Sequence, residues 1–202
     1  MPAPILHLAS SSPRRQEILA ALGFTFSLGG VDVDERRLAG EAAEAMVLRL
    51  AEAKARAAAV DVPRIVLGAD TAVVLGDEVF GKPQGCEDAL EMLAHLSGRT
   101  HNVLTGVALY SEQGLRTAIS ATEVRFREIR PDEALAYWQS GEPHDKAGAY
   151  AIQGRGGAFV EAISGSYSGV VGLPVFETVR LLQWAGIEVF ESPAGAGSQG
   201  RN

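Results

Sequence analysis

A chain of 202 residues is long enough to bury a sizeable core without disulfide or metal staples. Its 47% hydrophobic and 21% charged residues are those of an ordinary globular protein, which excludes disordered, collagenous and fibrous classes. The formal charge of −7 argues against nucleic acid or an anionic membrane as partner and confines any phosphate ligand to a local cluster of cations.

Cys86 stands alone, so no internal disulfide and no thiolate set for zinc can form, and a reducing compartment, the cytoplasm, is the expectation. The opening Met1-Pro-Ala-Pro-Ile-Leu-His lacks the basic and apolar regions of a signal peptide. No uncharged apolar run reaches about eighteen residues, so neither export nor membrane spanning is expected.

Residues 5–9 predict a short buried strand, and Ser10-Ser11-Ser12-Pro13 a helix start with Ser12 as N-cap and Pro13 at the first helical position. The helix runs over 13–22 and stops at Gly23. A short strand over 26–28 and an acidic loop precede the strongest helix, 41–59, rich in Ala, Leu, Glu, Lys and Arg. Strand pieces over 65–67 and 72–75 flank Gly68-Ala69-Asp70-Thr71, and Gly76-Asp77 turns the chain into 78–80.

A helix over 87–96, strands over 102–110 and 118–126 and a helix over 131–140 read as a middle portion forming a small lobe of its own. Residues 141–157 are too polar and glycine-rich for a regular element, 158–163 resume a strand, and 174–185 form a final amphipathic helix. The order predicts an α/β fold, a twisted mixed sheet flanked by helices, as one domain over 1–190 in two closely packed lobes, with a disordered tail over 191–202.

Ser10 to Arg15 combine a strand end, hydroxyls, a helix N-terminus and the guanidinium groups of Arg14 and Arg15, the makings of a phosphate-binding corner. Ser-Pro helix starts with solvated arginines are also common, so this segment does not decide alone. Asp70 follows an apolar run, where a desolvated carboxylate needs a cation, a metal or hydrogen bonds. It is the candidate base, against the plainer reading of a strand-end turn cap.

Lys54 on a helix and Lys82 in Gly81-Lys82-Pro83 could bring two ammonium groups to a triphosphate near Asp70. The stretch Asp32-Val33-Asp34-Glu35 could share a magnesium ion with Asp70, or be a solvated acidic loop. The segment 142–154, Glu-Pro-His-Asp-Lys-Ala-Gly-Ala-Tyr-Ala-Ile-Gln-Gly, is a long polar loop of a kind that is usually functional. Within it Gln153 offers a donor and an acceptor that suit a pyrimidine edge. His7 falls in a strand, His95 in a helix and His101 in a turn, and none pairs at metal-ligand spacing.

The blocks Ser-Ser-Ser-Pro-Arg-Arg at 10–15, Gly-Ala-Asp-Thr at 68–71, Gly-Lys-Pro at 81–83, Ser-Gly-Arg-Thr-His at 97–101 and the 142–154 segment together resemble the Maf family. Gly-Ser-Tyr at 165–167 and Val-Val-Gly-Leu-Pro at 170–174 extend the resemblance from Leu6 to about Gly186. It implies a cytoplasmic, homodimeric nucleoside triphosphate pyrophosphatase that uses a divalent cation, Mg2+ or Mn2+, and releases a nucleoside monophosphate and pyrophosphate. Asp70 matches the family's catalytic proton acceptor.

The wording of 145–154 is similar to the branch acting on dTTP and UTP, in which the positions of Arg14, Thr71 and Gln153 are associated with substrate choice. Ser10, Arg15, Glu35, Lys54 and Lys82 match positions associated with phosphate or metal binding, with Asp70 and Glu35 as the metal's carboxylates. Ser11 departs from a frequent glycine, and Ser168-Gly169 from a bulkier pair. Alternatives left open are a nucleotide-binding regulator of cell division without turnover, the same chemistry on modified pyrimidines such as 5-methyl-UTP or pseudo-UTP, and the related branch acting on 7-methyl-GTP.

Overall fold

The structure, a computed structural model, describes residues 6–59 and 65–190. Ile5 and the expected tail over 191–202 lie outside the described residues. Strand β1 (Leu6–Leu8) runs parallel to β2 (Phe26–Leu28) on one side and to β3 (Ile65–Leu75) on the other, with Leu6 opposite both Phe26 and Ile65. Beyond β3 the pairing turns antiparallel through β5 (Thr100–Ser111), β6 (Gly114–Phe126) and β7 (Val160–Ser164), and β4 (Glu78–Phe80) folds back on the end of β3. The result is a mixed seven-stranded sheet of order β2-β1-β3-β5-β6-β7.

Side chains alternate between the faces of a strand, and on one face of the sheet Val66, Gly68, Asp70, Ala72 and Val74 of β3 meet a single helix, α2 (Ala43–Ala59). The buried stripe of α2 follows helical spacing through Met46, Val47, Leu50, Ala51, Lys54, Ala55 and Ala58. The helix backbone lies almost on the strands: a Cβ at Gly68 would stand 2.3 Å from the Ala51 carbonyl oxygen, and one at Gly106 of β5 2.6 Å from that of Val47. Small residues on both sides, Ala51, Ala55, Ala58 and Ala108, complete this close contact.

The opposite face carries two separate apolar clusters. At one end Leu67, Ala69, Val107 and Leu109 are covered by Leu19 of α1 (Pro13–Ala21) and by Leu181 and Leu182 of α6 (Val175–Trp184). At the other end Val73, Val103, Val124 and Phe126 are covered by α3 (Cys86–Leu96) and α4 (Pro131–Gln139), through Leu93, Leu96, Ala134 and Tyr137. Between them runs a row of hydroxyls, Thr71, Thr105, Ser120 and Thr122. The short helix α5 (Tyr167–Val171) and its flanks sit on this row, with Thr105 donating to the Gly169 carbonyl at 2.8 Å and Thr122 to that of Ser166 at 3.3 Å.

The middle portion thus supplies helices that cover one end, while its strands are central strands of the common sheet. The strand pieces expected over 65–67 and 72–75 are one strand, because Gly68 serves helix approach instead of a turn and Gly68 to Thr71 pair with Ala108 to Thr105. His101, expected in a turn, lies in β5, 1% exposed, with its Nε2 2.9 Å from the Tyr150 hydroxyl. Residues 141–157, expected to be irregular, contain 3-10 turns over Glu142–Asp145 and Ala147–Ala149 and the start of a third, Arg155–Phe159, which delays β7 to Val160. Ser12 occupies the N-cap position of α1 without a capping hydrogen bond from its side chain.

Replacing Gly68 or Gly106 by Ala forces α2 off the sheet and is expected to lower the unfolding free energy by roughly 1–3 kcal/mol. Gly81→Ala, whose Cβ meets open space, should change it by less than about 0.5 kcal/mol; urea denaturation of the three variants checks this. A second expectation concerns acid. Burial holds the folded His101 imidazole down to about 4, against an ordinary value of 6.5. The stability from burying it neutral is therefore complete above about 6.5 and is lost progressively as the pH falls toward 4, by up to about 3 kcal/mol. Urea midpoints measured across that window should show the slope in the parent protein and a shallower one in His101→Gln.

Candidate active site

The turn from β1 into α1 brings Ser10 to the end of the sheet. Its Oγ accepts the Ser12 N–H at 3.2 Å and Arg15 Nη1 at 3.3 Å. Arg15 is fixed on two further sides, donating through Nε to the Gly172 carbonyl at 2.8 Å and through Nη2 to Thr71 Oγ1 at 3.3 Å. Thr71 Oγ1 in turn lies 3.0 Å from Thr105 Oγ1, so the guanidinium is anchored to the hydroxyl row. Burial lowers the Arg15 pKa while Asp70 opposes the shift, and a guanidinium stays charged regardless.

On the α2 face Asp70, 9% exposed, meets Lys54, whose Nζ lies 2.7 Å from Asp70 Oδ1 and 2.6 Å from Glu35 Oε1. One ammonium thus holds two carboxylates from distant stretches of chain. Desolvation raises the Asp70 pKa above the ordinary carboxylate value, against the pull of Lys54 and Arg15. For Glu35 desolvation also pushes upward, but the hydrogen bond and charge of Lys54, with Lys82 and Arg15 beyond, hold it below its ordinary value. Of the acidic stretch only Glu35 joins the cluster. Asp34 is bound to Arg36 at 2.6 Å and lowered by it to about 2.

These residues line one cleft of about 560 Å³. Lys82 enters from the turn after β4, and the 145–153 segment forms the far wall with Asp145, Lys146, Tyr150 and Gln153. Arg14 reaches across the cleft to Asp145, Nη1 to Oδ2 at 3.6 Å, and Lys146 pairs with the same carboxylate. Five cations, Arg14, Arg15, Lys54, Lys82 and Lys146, face three carboxylates, Glu35, Asp70 and Asp145, so the cleft is a positive pocket in an acidic protein. Ser10, Arg14, Arg15, Glu35, Lys54, Asp70, Thr71, Lys82 and Gln153, all expected from the sequence, line it, while Asp32 and Asp34 do not.

Sequence reasoning missed four contributors. Gly172 supplies a carbonyl, Thr105 is a buried strand hydroxyl of ordinary appearance, and Asp145 with Lys146 sat unassigned inside a segment singled out as a whole. Two carboxylates on one ammonium, beside fixed donors for phosphate oxygen, can activate a water and bind a polyphosphate.

A family model described as Maf-like protein matches residues 5–185. A protein of Methylococcus capsulatus named dTTP/UTP pyrophosphatase is 52% identical over 95% of this chain and 96% of its own length. Proteins of the same name from Salmonella typhimurium and Myxococcus xanthus are each 53% identical, over 88% and 91% of this chain and 91% and 93% of their own. Among solved structures, a HAM1 protein from Coxiella burnetii aligns with a TM-score of 0.47 at 18% identity over 76% of this chain and 90% of its own. With the family match spanning nearly all of the sequence and relatives above 50% identity covering most of it, the chain belongs to the Maf family.

Proposed function

We propose that this protein hydrolyses dTTP and UTP between the α and β phosphates, giving the nucleoside monophosphate and pyrophosphate. The observation that carries the reading is the Asp70–Lys54–Glu35 cluster facing the Ser10–Arg15 corner across one cationic cleft. The names of the relatives at 51–53% identity support the substrate class.

The triphosphate binds against Ser10, Arg14, Arg15 and Lys82, with Lys54 as the cation between substrate and carboxylates. Asp70 accepts the proton of a water whose oxygen bonds to the α-phosphorus as the bridging P–O bond breaks and pyrophosphate departs. Desolvation strengthens Asp70 as a base, and Lys54 keeps it ionised. Arg14, Thr71 and Gln153 govern substrate choice, Thr71 through its hold on Arg15 and Gln153 by pairing with the carbonyl and N–H of a pyrimidine.

No group of three or more His, Cys, Asp or Glu side chains able to hold a metal occurs among the described residues. Two carboxylates suit an Mg2+ or Mn2+ ion that keeps waters and takes its remaining ligands from substrate phosphates. Asp70 and Glu35 would hold it, and when bound it supplies charge neutralisation on phosphate and acidification of a water.

We further propose a cytoplasmic homodimer with no nucleic-acid or membrane partner. The free Cys86 and the net charge support the first and last points. The apolar groove between Phe176 and Phe190, 68% and 87% exposed, supports a second copy. Among the described residues no helix is long and apolar enough to cross a membrane.

Pyrophosphate release from dTTP, UTP, CTP, GTP, 7-methyl-GTP and 5-methyl-UTP, with Mg2+ or Mn2+, tests the reading. Turnover should favour the pyrimidines dTTP and UTP and fall by about 10²–10⁴-fold in Asp70→Ala. Nucleotide binding without turnover under either metal would instead identify a regulator.

A further inference from the structure

Gln153 stands exposed at the mouth of the cleft, on a loop whose placement decides what the amide can reach. That loop is organised by one carboxylate outside the cleft lining. Glu142 Oε1 accepts the Tyr137 hydroxyl at 2.7 Å and the Gly156 N–H at 3.0 Å, and Oε2 accepts the Arg155 N–H at 2.9 Å. The Tyr137 oxygen accepts the Ala151 N–H at 3.0 Å. The backbone is thereby gripped two residues before Gln153 and two and three residues after it, all from α4 and the turn that follows.

The fit around the carboxylate is tight. A Cβ at Gly154, the neighbour of Gln153, would lie 2.4 Å from Glu142 Oε2, and one at Gly156 would lie 2.5 Å from the Tyr137 oxygen. Burial alone would raise the Glu142 pKa, yet the Gly156 and Arg155 amides and the Tyr137 hydroxyl hold it below its ordinary value. It is therefore an ionised, acceptor-only group matched to three donors. Gln in its place would turn an amide N–H₂ toward one of those donors.

We propose that Glu142, with Tyr137, is a positioning residue for base selection, setting the place of the Gln153 amide without touching the nucleotide. The inference rests on the reading of Gln153 as the base-reading residue. In it the Ser10–Arg15 corner and the Asp70–Lys54–Glu35 cluster are held by partners other than Glu142, so the chemical step is spared and discrimination between bases is not.

The test is steady-state kinetics on dTTP, UTP, CTP and GTP for Glu142→Gln, Gly154→Ala, Tyr137→Phe, Gln153→Ala and the Glu142→Gln/Gln153→Ala double variant, with thermal melts of each. Glu142→Gln and Gly154→Ala should raise KM for dTTP and UTP roughly 10-fold and shrink their advantage over CTP and GTP by a similar factor, with kcat changing less than about threefold. Tyr137→Phe should do the same more weakly. The double variant should be no worse in selectivity than Gln153→Ala alone.

If Gln153→Ala shifts base preference while Glu142→Gln and Gly154→Ala remain folded and leave it untouched, the positioning role is wrong and the base reading stands. Equal losses on all four nucleotides, or penalties that multiply in the double variant, also overturn it. An unchanged preference in Gln153→Ala removes both.

Discussion

The structure depends on how closely α2 approaches the sheet. Only where β3 and β5 present Gly68 and Gly106 can the helix backbone descend to the strands, and this depth brings the Lys54 ammonium to Asp70 on the same sheet face. A helix held farther out would carry the Lys54 ammonium away from Asp70. A buried carboxylate without its cation would then be neutral, and a neutral acid accepts no proton. Packing and chemistry at this centre are a single constraint.

The remaining charges are arranged around that pair. Lys54 also draws in Glu35 from the loop after β2, while Arg15, tied to Gly172 and Thr71, closes the Ser10 corner from the other face. The net charge is −7, so attraction for an anion is concentrated where five cations converge. Field focusing of this kind depends on the local arrangement and is indifferent to the overall sign of charge.

Much of this was legible in the sequence, for identifiable reasons. The helices over 13–21 and 43–59 announce themselves through Pro13 at a helix start and through an alanine-rich stripe, and both were placed within two residues. Asp70 stood out because a lone carboxylate in an apolar run requires an explanation. The continuity of β3 was not legible, since a glycine that admits a helix looks the same in sequence as a glycine that makes a turn. Nor was the anchoring of Arg15 by Gly172, a contact between residues 157 positions apart through a backbone atom that carries no sequence signature. Glu142 was visible only as part of an odd segment, because two of its three partners are main-chain amides.

The hydroxyl row of Thr71, Thr105, Ser120 and Thr122 interrupts the oily cover of one sheet face, and the cleft opens beside that interruption. Charged and hydroxyl groups thereby share the cleft wall with apolar side chains such as Leu50, Val73 and Phe80, and a polyanion entering there exchanges strong hydration for strong contacts. Calorimetrically, such an exchange is dominated by enthalpy with a small change in heat capacity, the reverse of an apolar ligand filling a greasy pocket. For the charged part of such a ligand, the directions of the hydrogen bonds then carry much of the discrimination.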